Sequence, residues 1–509
     1  MTVCVWSLCY SVVSLPPQCC ASYCSSRPKT VTLRYTEYPY IDSATLFDGV
    51  ADEPWAMLLD SGFIDGKSSS SLSWGYDVLA IRPSQTFVFN GGVTQHVKGD
   101  QEQTLAGDPL RVLQQYLPDI TPPECPLVPY VPGGMGYFSY DLARHFEPLP
   151  SSASNDEQLP PMAVGVYDVL LVVDHAKRRS VLVEWGDEQA NAELVETWGE
   201  LIEAHSMVSS SGLPARSGSE LHPSVCGGLQ CTDPAESLAS SEYQAAFDKV
   251  RQYTIDGDCY QVNLTNQFSA KVSGRAWLTY RYLRAKSPAP YGAYLNLPFA
   301  QILSNSPESF IQCHKQQVTT SPIKGTRPRV VSDPKRDADV AAELLSSAKD
   351  RAENVMIVDL MRNDLSRCCE LGSVAVPELF ALHSFANVHH LISRVTGRLK
   401  HGLHSLDLLR HCFPGGSITG APKIRAMQII EELEPVRRGL YCGSIGFIGG
   451  DGSLETNIAI RTIVVKDGVA RFAAGGGLVI DSELDAERQE LEDKANMMRD
   501  ALFGDNLGQ

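Results

Sequence analysis

Long hydrophobic runs and an excess of basic residues are both missing from this chain. A membrane-spanning helix needs about 18 or more consecutive apolar residues, and no such run occurs, so the sequence predicts no membrane span. The 43 Lys and Arg residues face 60 Asp and Glu residues, which leaves a net charge of −17 over 509 residues. That balance argues against non-specific binding to nucleic acid or to an anionic membrane surface. An anionic substrate would need a local concentration of arginine, lysine and backbone N–H groups.

The 14 cysteines lack the spacing of a zinc site or of a disulfide framework. Their scattered placement favours a reducing compartment, and we predict a cytoplasmic protein. Residues 1–32 contain an apolar run that no basic residue precedes. We interpret them as a disordered extension or a start-site artefact rather than as a targeting segment.

From residue 33 onward the pattern is that of a folded protein. Apolar runs bounded by turn residues predict strands, for example at Trp55–Gly62 and Tyr76–Ile81. Strands and helices follow one another without a regular βαβ rhythm, which favours an α+β fold. Composition divides the chain into an N-terminal subdomain at 33–205, a Ser-, Gly- and Pro-rich linker or insertion at 206–240, and a C-terminal domain at 241–509.

Lys324 is the most unusual charge in the sequence. It lies between Pro322 and Pro328, which fix φ and prevent a helix, and next to Gly325, which permits a positive φ or a close backbone approach. The lysine is therefore expected on a stiff, extended segment. A lysine presented in this way can serve as a nucleophile, although a lysine that binds an anion, or one in a surface turn, fits the same string.

Two predicted helices carry carboxylates that could hold a metal. A helix at 347–367 contains Glu353, and the C-terminal helix places Glu487, Glu490 and Lys494 on one face. Carboxylates are hard oxygen ligands that suit Mg²⁺, which usually takes one or two of them and completes its shell with water or substrate. Solvated helix faces are the alternative, and the metal hypothesis requires the two helices to converge.

Two glycine-rich segments are candidates for anion-binding backbone. Phe413–Lys423 leads into a predicted helix, whose N-terminus exposes free N–H groups. The Gly475–Gly477 triplet follows a predicted strand and precedes the acidic C-terminal helix.

Taken together, the strings SPIKGTRPR, DRAENVMIVDLMRNDLSR, FPGGSITGAPKIRAM and CGSIGF and the glycine triplet resemble the chorismate-utilising enzymes of the anthranilate synthase component I-like family. The resemblance runs from about Trp55 to Leu502. It implies two orthogonally packed, antiparallel-rich sheets flanked by helices, with chorismate bound in the C-terminal half.

Two positions distinguish the activities within this family. Isochorismate and salicylate synthases carry a lysine general base where this chain has Gln261, and a glutamine cannot deprotonate water. Anthranilate synthases carry an alanine where this chain has Lys324, so the lysine is similar to the branch that places nitrogen on C4 of chorismate. An anthranilate synthase large component and a non-catalytic tryptophan-binding paralogue are the alternatives.

The resemblance implies a covalent mechanism. Lys324 would attack C2 of chorismate while the C4 hydroxyl leaves with an allylic shift, and Glu308 would protonate that hydroxyl. Ammonia would then attack C4 and expel the lysine. Glu353 and Glu490, with Glu487 nearby, match the family's Mg²⁺ ligands. The residues that match substrate contacts are Gly325, Thr326, His390, Tyr441, Arg461, Gly475, Gly476, Gly477 and Lys494.

The family also has a tryptophan-shaped pocket, which is either a feedback site or a structural one. The residues that match it are Ser61, Ser73, Trp74, Gly75, Tyr76, Pro290, Tyr291 and Gly292. No cysteine lies in a glutaminase-like setting, so the resemblance implies a separate glutaminase chain that supplies ammonia.

Overall fold

The computed structural model describes residues 33–63, 75–210, 227–385 and 388–503. The predicted pocket residues Ser73 and Trp74 and the predicted extension at 1–32 lie outside these ranges.

The chain forms an α+β fold, as predicted. Its helices are α1 Ser43–Phe47, α2 Pro109–Tyr116, α3 Glu188–Ser210, α4 Ser240–Ile255, α5 Ala276–Lys286, α6 Pro334–Ser346, α7 Ala348–Cys368, α8 Ser405–Cys412, α9 Lys423–Leu433 and α10 Leu484–Phe503. No helix in the described part of the chain combines the length and the apolar character that crossing a membrane requires.

The strands build two large antiparallel sheets. They are β1 Arg34–Pro39, β2 Ala56–Asp60, β3 Tyr76–Ala80, β4 Gln85–Asn90, β5 Val93–Lys98, β6 Gln101–Ala106, β7 Gly133–Phe138, β8 Met162–Tyr167, β9 Val169–Asp174, β10 Arg179–Glu184, β11 Gln230–Glu236, β12 Gln261–Ser273, β13 Tyr291–Leu297, β14 Ala300–Ser306, β15 Ser309–His314, β16 Gln317–Thr320, β17 Ile323–Pro328, β18 Ala375–Ser384, β19 Val388–Arg398, β20 Gly420–Ala421, β21 Ser444–Gly449, β22 Leu454–Asn457, β23 Thr462–Lys466 and β24 Val469–Leu478.

Both halves of the chain contribute to both sheets. The first sheet has the order β1-β10-β9-β3-β2-β13-β14-β23-β24-β12-β11, with β20 paired to β12. The second has the order β17-β19-β16-β15-β22-β21-β7-β8-β4-β5-β6, with β18 paired to β19. The segments predicted as an N-terminal subdomain and a C-terminal domain are therefore joined by strand pairing, for example between β2 and β13.

Side-chain alternation places one core between the sheets and one on each outer face. Leu170 and Val172 of β9 pack in the core shared with the second sheet, while Leu171 packs in the core under the helices of the first sheet. On β8, Ala163 faces the shared core, and Val164 faces the core that contains α7 and α8. This period of two is the pattern of strands buried on both faces.

Two sequence expectations differ from the structure. The end of the predicted linker at 206–240 contains β11, which pairs with β12 as an edge strand with a bulge, and α3 continues to Ser210. The Gly475–Gly477 triplet lies within β24 rather than after a strand. Glycine is needed inside this strand because β12 approaches it closely: a Cβ at Gly475 would lie 2.4 Å from the Leu264 carbonyl oxygen.

Candidate active site

Lys324 lies on β17, on the extended segment that its neighbouring prolines predict. Gly325 has φ +87°, and a Cβ there would lie 3.1 Å from Asp350 Cβ on α7, so glycine is required for this approach. Among the described residues, the half-buried ammonium group of Lys324 has no hydrogen-bond or ion-pair partner. It acts electrostatically on three carboxylates, those of Glu308, Glu353 and Glu490.

Glu308 lies in the short connection from β14 to β15 and is 7% exposed. The Ser417 hydroxyl donates a hydrogen bond to Glu308 Oε1 at 3.0 Å, and the backbone N–H of Ile323 donates to the same carboxyl group. Burial raises the pKa of Glu308 even though these hydrogen bonds and Lys324 favour the ionised form. A buried acid with a raised pKa, next to the strand that carries Lys324, suits proton donation.

The helices α7 and α10 converge as the metal hypothesis requires. Lys349 Nζ on α7 lies 3.8 Å from Glu487 Oε1 on α10. Burial raises the pKa of Glu353, and the charge of Glu487 adds to this effect. Burial opposes ionisation of Glu490, but Lys494 Nζ, 2.6 Å from Glu490 Oε1, lowers the pKa of that carboxyl below its usual value.

The wall opposite these carboxylates is the glycine triplet. A Cβ at Gly476 would lie 3.0 Å from Glu487 Oε2 and 3.7 Å from Glu490 Oε1. In the described ranges, no group of three or more His, Cys, Asp and Glu side chains is assembled as a complete metal site. These carboxylates suit Mg²⁺, which takes one or two carboxylate ligands and fills the rest of its coordination shell with water or substrate. Because Gly476 has no side chain, space for such ligands remains beside Glu487 and Glu490.

His390 and Arg461 interact electrostatically, but of the two only Arg461 is charged near neutral pH. The Thr326 hydroxyl and His390 Nδ1 are 2.7 Å apart, on paired positions of β17 and β19. Burial, together with the positive charge of Arg461, lowers the pKa of His390 to about 4, so the imidazole is neutral near neutral pH. Arg461 has φ 50°, and burial lowers its pKa against the opposing charge of Glu308. Its guanidinium group has no hydrogen-bond partner in the described part of the chain.

Gln261, Tyr441 and Lys494 complete the enclosure around the triplet. Gln261 is fully buried, and neither end of its amide has a partner; a Cβ at Gly477 would lie 2.8 Å from Gln261 Nε2. Tyr441 is 7% exposed, and burial raises its pKa far above the ordinary value. Lys494 Nζ donates to the Gly475 carbonyl oxygen at 3.0 Å.

Sequence reasoning missed Ser417 and Lys349 as site residues. Ser417 lies in the predicted anion-binding loop, but its side chain, rather than a helix N-terminus, makes the contact with Glu308. The loop's Lys423 is not free for an anion, because it binds Asp364 Oδ2 at 2.6 Å and the Cys412 carbonyl oxygen at 2.8 Å. Lys349 precedes Glu353 by one helical turn, so the i, i+4 spacing was a usable signal.

A second cavity lies between the sheets, where the tryptophan pocket was expected. Its lining includes five of the residues predicted for that pocket and described by the structure: Ser61, Tyr76, Pro290, Tyr291 and Gly292. Gly75 precedes β3 with φ +69° and is not part of the lining. Glu455 also lines the cavity and is held by Tyr130 Oη at 2.6 Å and by Gln312 Nε2 at 3.2 Å.

Comparison with known proteins identifies relatives of this chain. The family model for chorismate binding enzyme matches residues 68–500. The aminodeoxychorismate synthase component 1 of Klebsiella aerogenes is 43% identical over 452 residues, which is 88% of this chain and 94% of that protein. The anthranilate synthase component 1 of Streptomyces coelicolor is 38% identical, covering 78% of each chain. The crystal structure of anthranilate synthase component I from Streptococcus pneumoniae superimposes with a TM-score of 0.70 at 30% identity, covering 84% of this chain and 93% of that one.

Proposed function

The chain belongs to the family of chorismate binding enzymes, and from this premise we propose that it aminates chorismate to 4-amino-4-deoxychorismate. This product is a precursor in para-aminobenzoate and folate biosynthesis. The observation that carries the proposal is the unpaired ammonium group of Lys324, which lies in the field of Glu308, Glu353 and Glu490. Relatives named aminodeoxychorismate synthase component 1, one of them 43% identical to this chain, support the same conclusion.

The first half of the proposed reaction joins Lys324 to the substrate. Neutral Lys324 Nζ forms a bond to C2, the conjugated ring double bonds shift by one position, and the C4–O bond breaks. Glu308 donates its proton to the departing hydroxyl, which leaves as water. The raised pKa of Glu308 supports this role, because the carboxyl must hold a proton where the reaction occurs.

The second half releases the lysine. Ammonia forms a bond to C4, the double bonds shift back, and the C2–Nζ bond breaks, so that Lys324 leaves its positively charged adduct as the neutral amine. The new ammonium group on C4 loses a proton, which restores the acid form of Glu308. We propose that a separate glutaminase chain supplies the ammonia. Burial raises the pKa of the Cys259 thiol, the opposite of what an activated nucleophile needs, and Cys259 is the cysteine whose sequence context most resembles a glutaminase nucleophile.

Glu353 and Glu490, with Glu487 beside them, would hold Mg²⁺ in this site. When bound, the ion would supply positive charge for the carboxylate of the substrate. The protein's own groups do the rest of the positioning: Arg461 offers a bidentate fork to a second carboxylate, and the β24 glycines let the ring lie against backbone. His390, neutral because of its lowered pKa, adds no competing charge.

The decisive experiment is mass spectrometry of the protein after incubation with chorismate and Mg²⁺ without ammonia. We expect a chorismate-derived adduct on Lys324, and loss of both adduct and turnover in Lys324→Ala. Lys400→Ala, which removes a lysine bound to the Arg367 carbonyl oxygen, is the matched control and should retain activity. Formation of anthranilate from chorismate and ammonia would contradict the proposal and favour an anthranilate synthase component, and an unreacted substrate would favour a non-catalytic paralogue.

We further propose that the second cavity binds tryptophan. Its walls are formed by aromatic rings and by polar groups that already have partners, such as Glu455. A cavity of this kind is rigid before the ligand arrives, which reduces the entropy lost on binding.

A further inference from the structure

A buried arginine between α9 and β21 ties together segments that surround the site. Arg438 Nε and one terminal nitrogen donate to the two carboxylate oxygens of Glu434, at 2.9 and 2.7 Å. The other terminal nitrogen donates to the Ile418 carbonyl oxygen at 2.8 Å, and the Asn263 carbonyl oxygen accepts a further bond at 2.7 Å. The side chains of the pair are 1% and 5% exposed.

Each of these contacts leads to a residue of the candidate site. Ile418 follows Ser417, whose hydroxyl holds Glu308. Asn263 lies two residues after Gln261 on β12 and pairs with Gly477 of β24. Glu434 Oε1 also accepts from the backbone N–H of Thr265, which is paired with Gly475.

The same guanidinium group also lies over two aromatic rings. Arg438 Cζ is 5.0 Å from the centroid of the Tyr140 ring and 5.9 Å from that of the Tyr441 ring. Tyr441 is one of the site residues that enclose the glycine triplet. One side chain therefore contacts the loop whose Ser417 binds the proposed acid, the strand beneath the glycines and the ring of Tyr441.

A guanidinium group is suited to this task and an ammonium group is not. Its N–H groups are fixed in one plane, so the Ile418 and Asn263 carbonyl oxygens are held at a set separation. A lysine at the same position could keep the charge opposite Glu434 but could not reproduce the fork. Arg438→Lys therefore separates the geometric role from the charge.

We propose that Arg438, oriented by Glu434, is a positioning residue for the amination, which sets the Ser417 hydroxyl on Glu308 and aligns β12 beneath the glycine triplet. This inference rests on the proposed function. Arg438 itself touches no reacting atom and acts through Ser417 and Asn263.

The consequence for pH dependence follows from the groups that face Glu308. The positively charged groups are Lys324 on β17, Lys494 on α10 and Arg461. The Ser417 hydroxyl and the Ile323 backbone N–H donate to the carboxyl group, and the buried Cys442 thiol interacts with it. The two lysines and the two hydrogen bonds favour the ionised carboxylate. If Ser417 moves away, the ionised form loses a hydrogen bond and the pKa of Glu308 rises. Because the acid must be protonated, the high-pH limb of the rate profile should then move to higher pH.

The test is ammonia-dependent chorismate turnover by the full chain, measured from pH 6 to pH 9 together with thermal unfolding. For Arg438→Lys we expect kcat to fall about 10- to 100-fold and the high-pH limb to move up by about one unit. Arg437→Lys is the matched control, because the neighbouring Arg437 donates to Ser151 at the surface and should leave kcat and the limb unchanged.

A double-variant cycle with Ser417→Ala makes the inference sharper. Ser417→Ala alone should move the high-pH limb in the same direction. Adding Arg438→Lys should move it no further, since both changes remove the same hydrogen bond, that from Ser417 to Glu308. If Arg438→Lys does not fold, Glu434→Gln replaces it, with a smaller movement of the limb expected.

A loss of thermal stability with an unmoved limb, or additive movements in the double variant, would overturn the positioning role. Failure of the wild-type chain to aminate chorismate would instead overturn the proposed function, so the two failures are distinguishable.

Discussion

The buried polar network around Asp77 and the candidate site around Lys324 are both built from charged residues, but they differ in how those charges are satisfied. In the first, Asp77 accepts from Ser61 at 2.7 Å and binds His175 Nε2 at 2.8 Å. Arg284 Nε donates to Asp60 Oδ2 at 2.7 Å in the same network. Each charge there has a partner supplied by the fold.

In the candidate site, two of the cations and one side-chain amide have no such partners. Lys324 and Arg461 make no hydrogen bond or ion pair with any described residue, and the amide of Gln261 is buried without a partner. Burying polar groups in this state costs free energy. The difference indicates that the fold completes the first network by itself and leaves the second to be completed by a ligand.

The largest expected effect is loss of catalysis without loss of the fold. Glu308→Gln keeps the size of the side chain but removes the transferable proton, and we expect kcat to fall about 10²- to 10⁴-fold with an unchanged melting temperature. Glu157→Gln is the matched control. Glu157 is also a buried glutamate, whose pKa burial raises to about 7. It accepts a hydrogen bond from the Leu440 backbone N–H, and the charges that act on it are those of Asp141, Arg471 and Lys466 rather than that of Lys324. Equal losses in both variants would contradict the assignment of the acid.

The second prediction compares two buried arginines. Arg284→Met leaves Asp60 without its ion pair and should lower the free energy of unfolding by about 3–5 kcal/mol, measured by urea denaturation. Arg461→Met breaks no ion pair and should change it by less than about 1 kcal/mol, while raising KM for chorismate. If both variants lose equal stability, the distinction between the two regions is wrong.

The third prediction concerns pH. Burial opposes the charges of both partners, but His175 and Arg284 lower the pKa of Asp77, and Asp77 raises the pKa of His175. The contribution of Asp77 to the free energy of unfolding is lost as pH falls below about 4. The contribution of His175 is lost as pH rises above about 6.5 and through the raised pKa of the folded state.

Melting temperatures measured across pH should therefore show a maximum between these limits. His175→Gln should flatten the alkaline side of the curve and leave the effect of acid in place. An alkaline slope that persists in His175→Gln would assign it to another group.

The smallest expected effect is ligand stabilisation at the second cavity. Tryptophan at about 100 times its dissociation constant should stabilise the protein by about 2.7 kcal/mol, a rise of a few degrees in melting temperature. Tyr291→Ala, which removes an aromatic wall of the cavity, should abolish the rise. An equal rise in this variant would place tryptophan elsewhere.

Much of the local structure was predictable because its signals are local. The helix over 347–367 begins after Ser347, whose hydroxyl accepts a hydrogen bond from the Asp350 N–H at 3.3 Å. The helix predicted after the glycine-rich segment is α9, which begins at Lys423. Pro322, Pro328 and Gly325 predicted the extended segment of Lys324. The glycine triplet was misinterpreted because glycine in a turn and glycine in a closely packed strand have the same letter, and only the position of β12 distinguishes them.

The sequence by itself determined which residue types the site contains, namely the acid, the lysine and the carboxylates. It also determined the family that the chain resembles, since both depend on local strings of residues. Only the tertiary structure decided which groups meet: Lys349 with Glu487, Ser417 with Glu308, and Arg438 with the Asn263 and Ile418 carbonyl oxygens. These pairs join elements separated by tens to hundreds of residues. Their geometry depends on how two large sheets pack, and spacing along the chain does not record it.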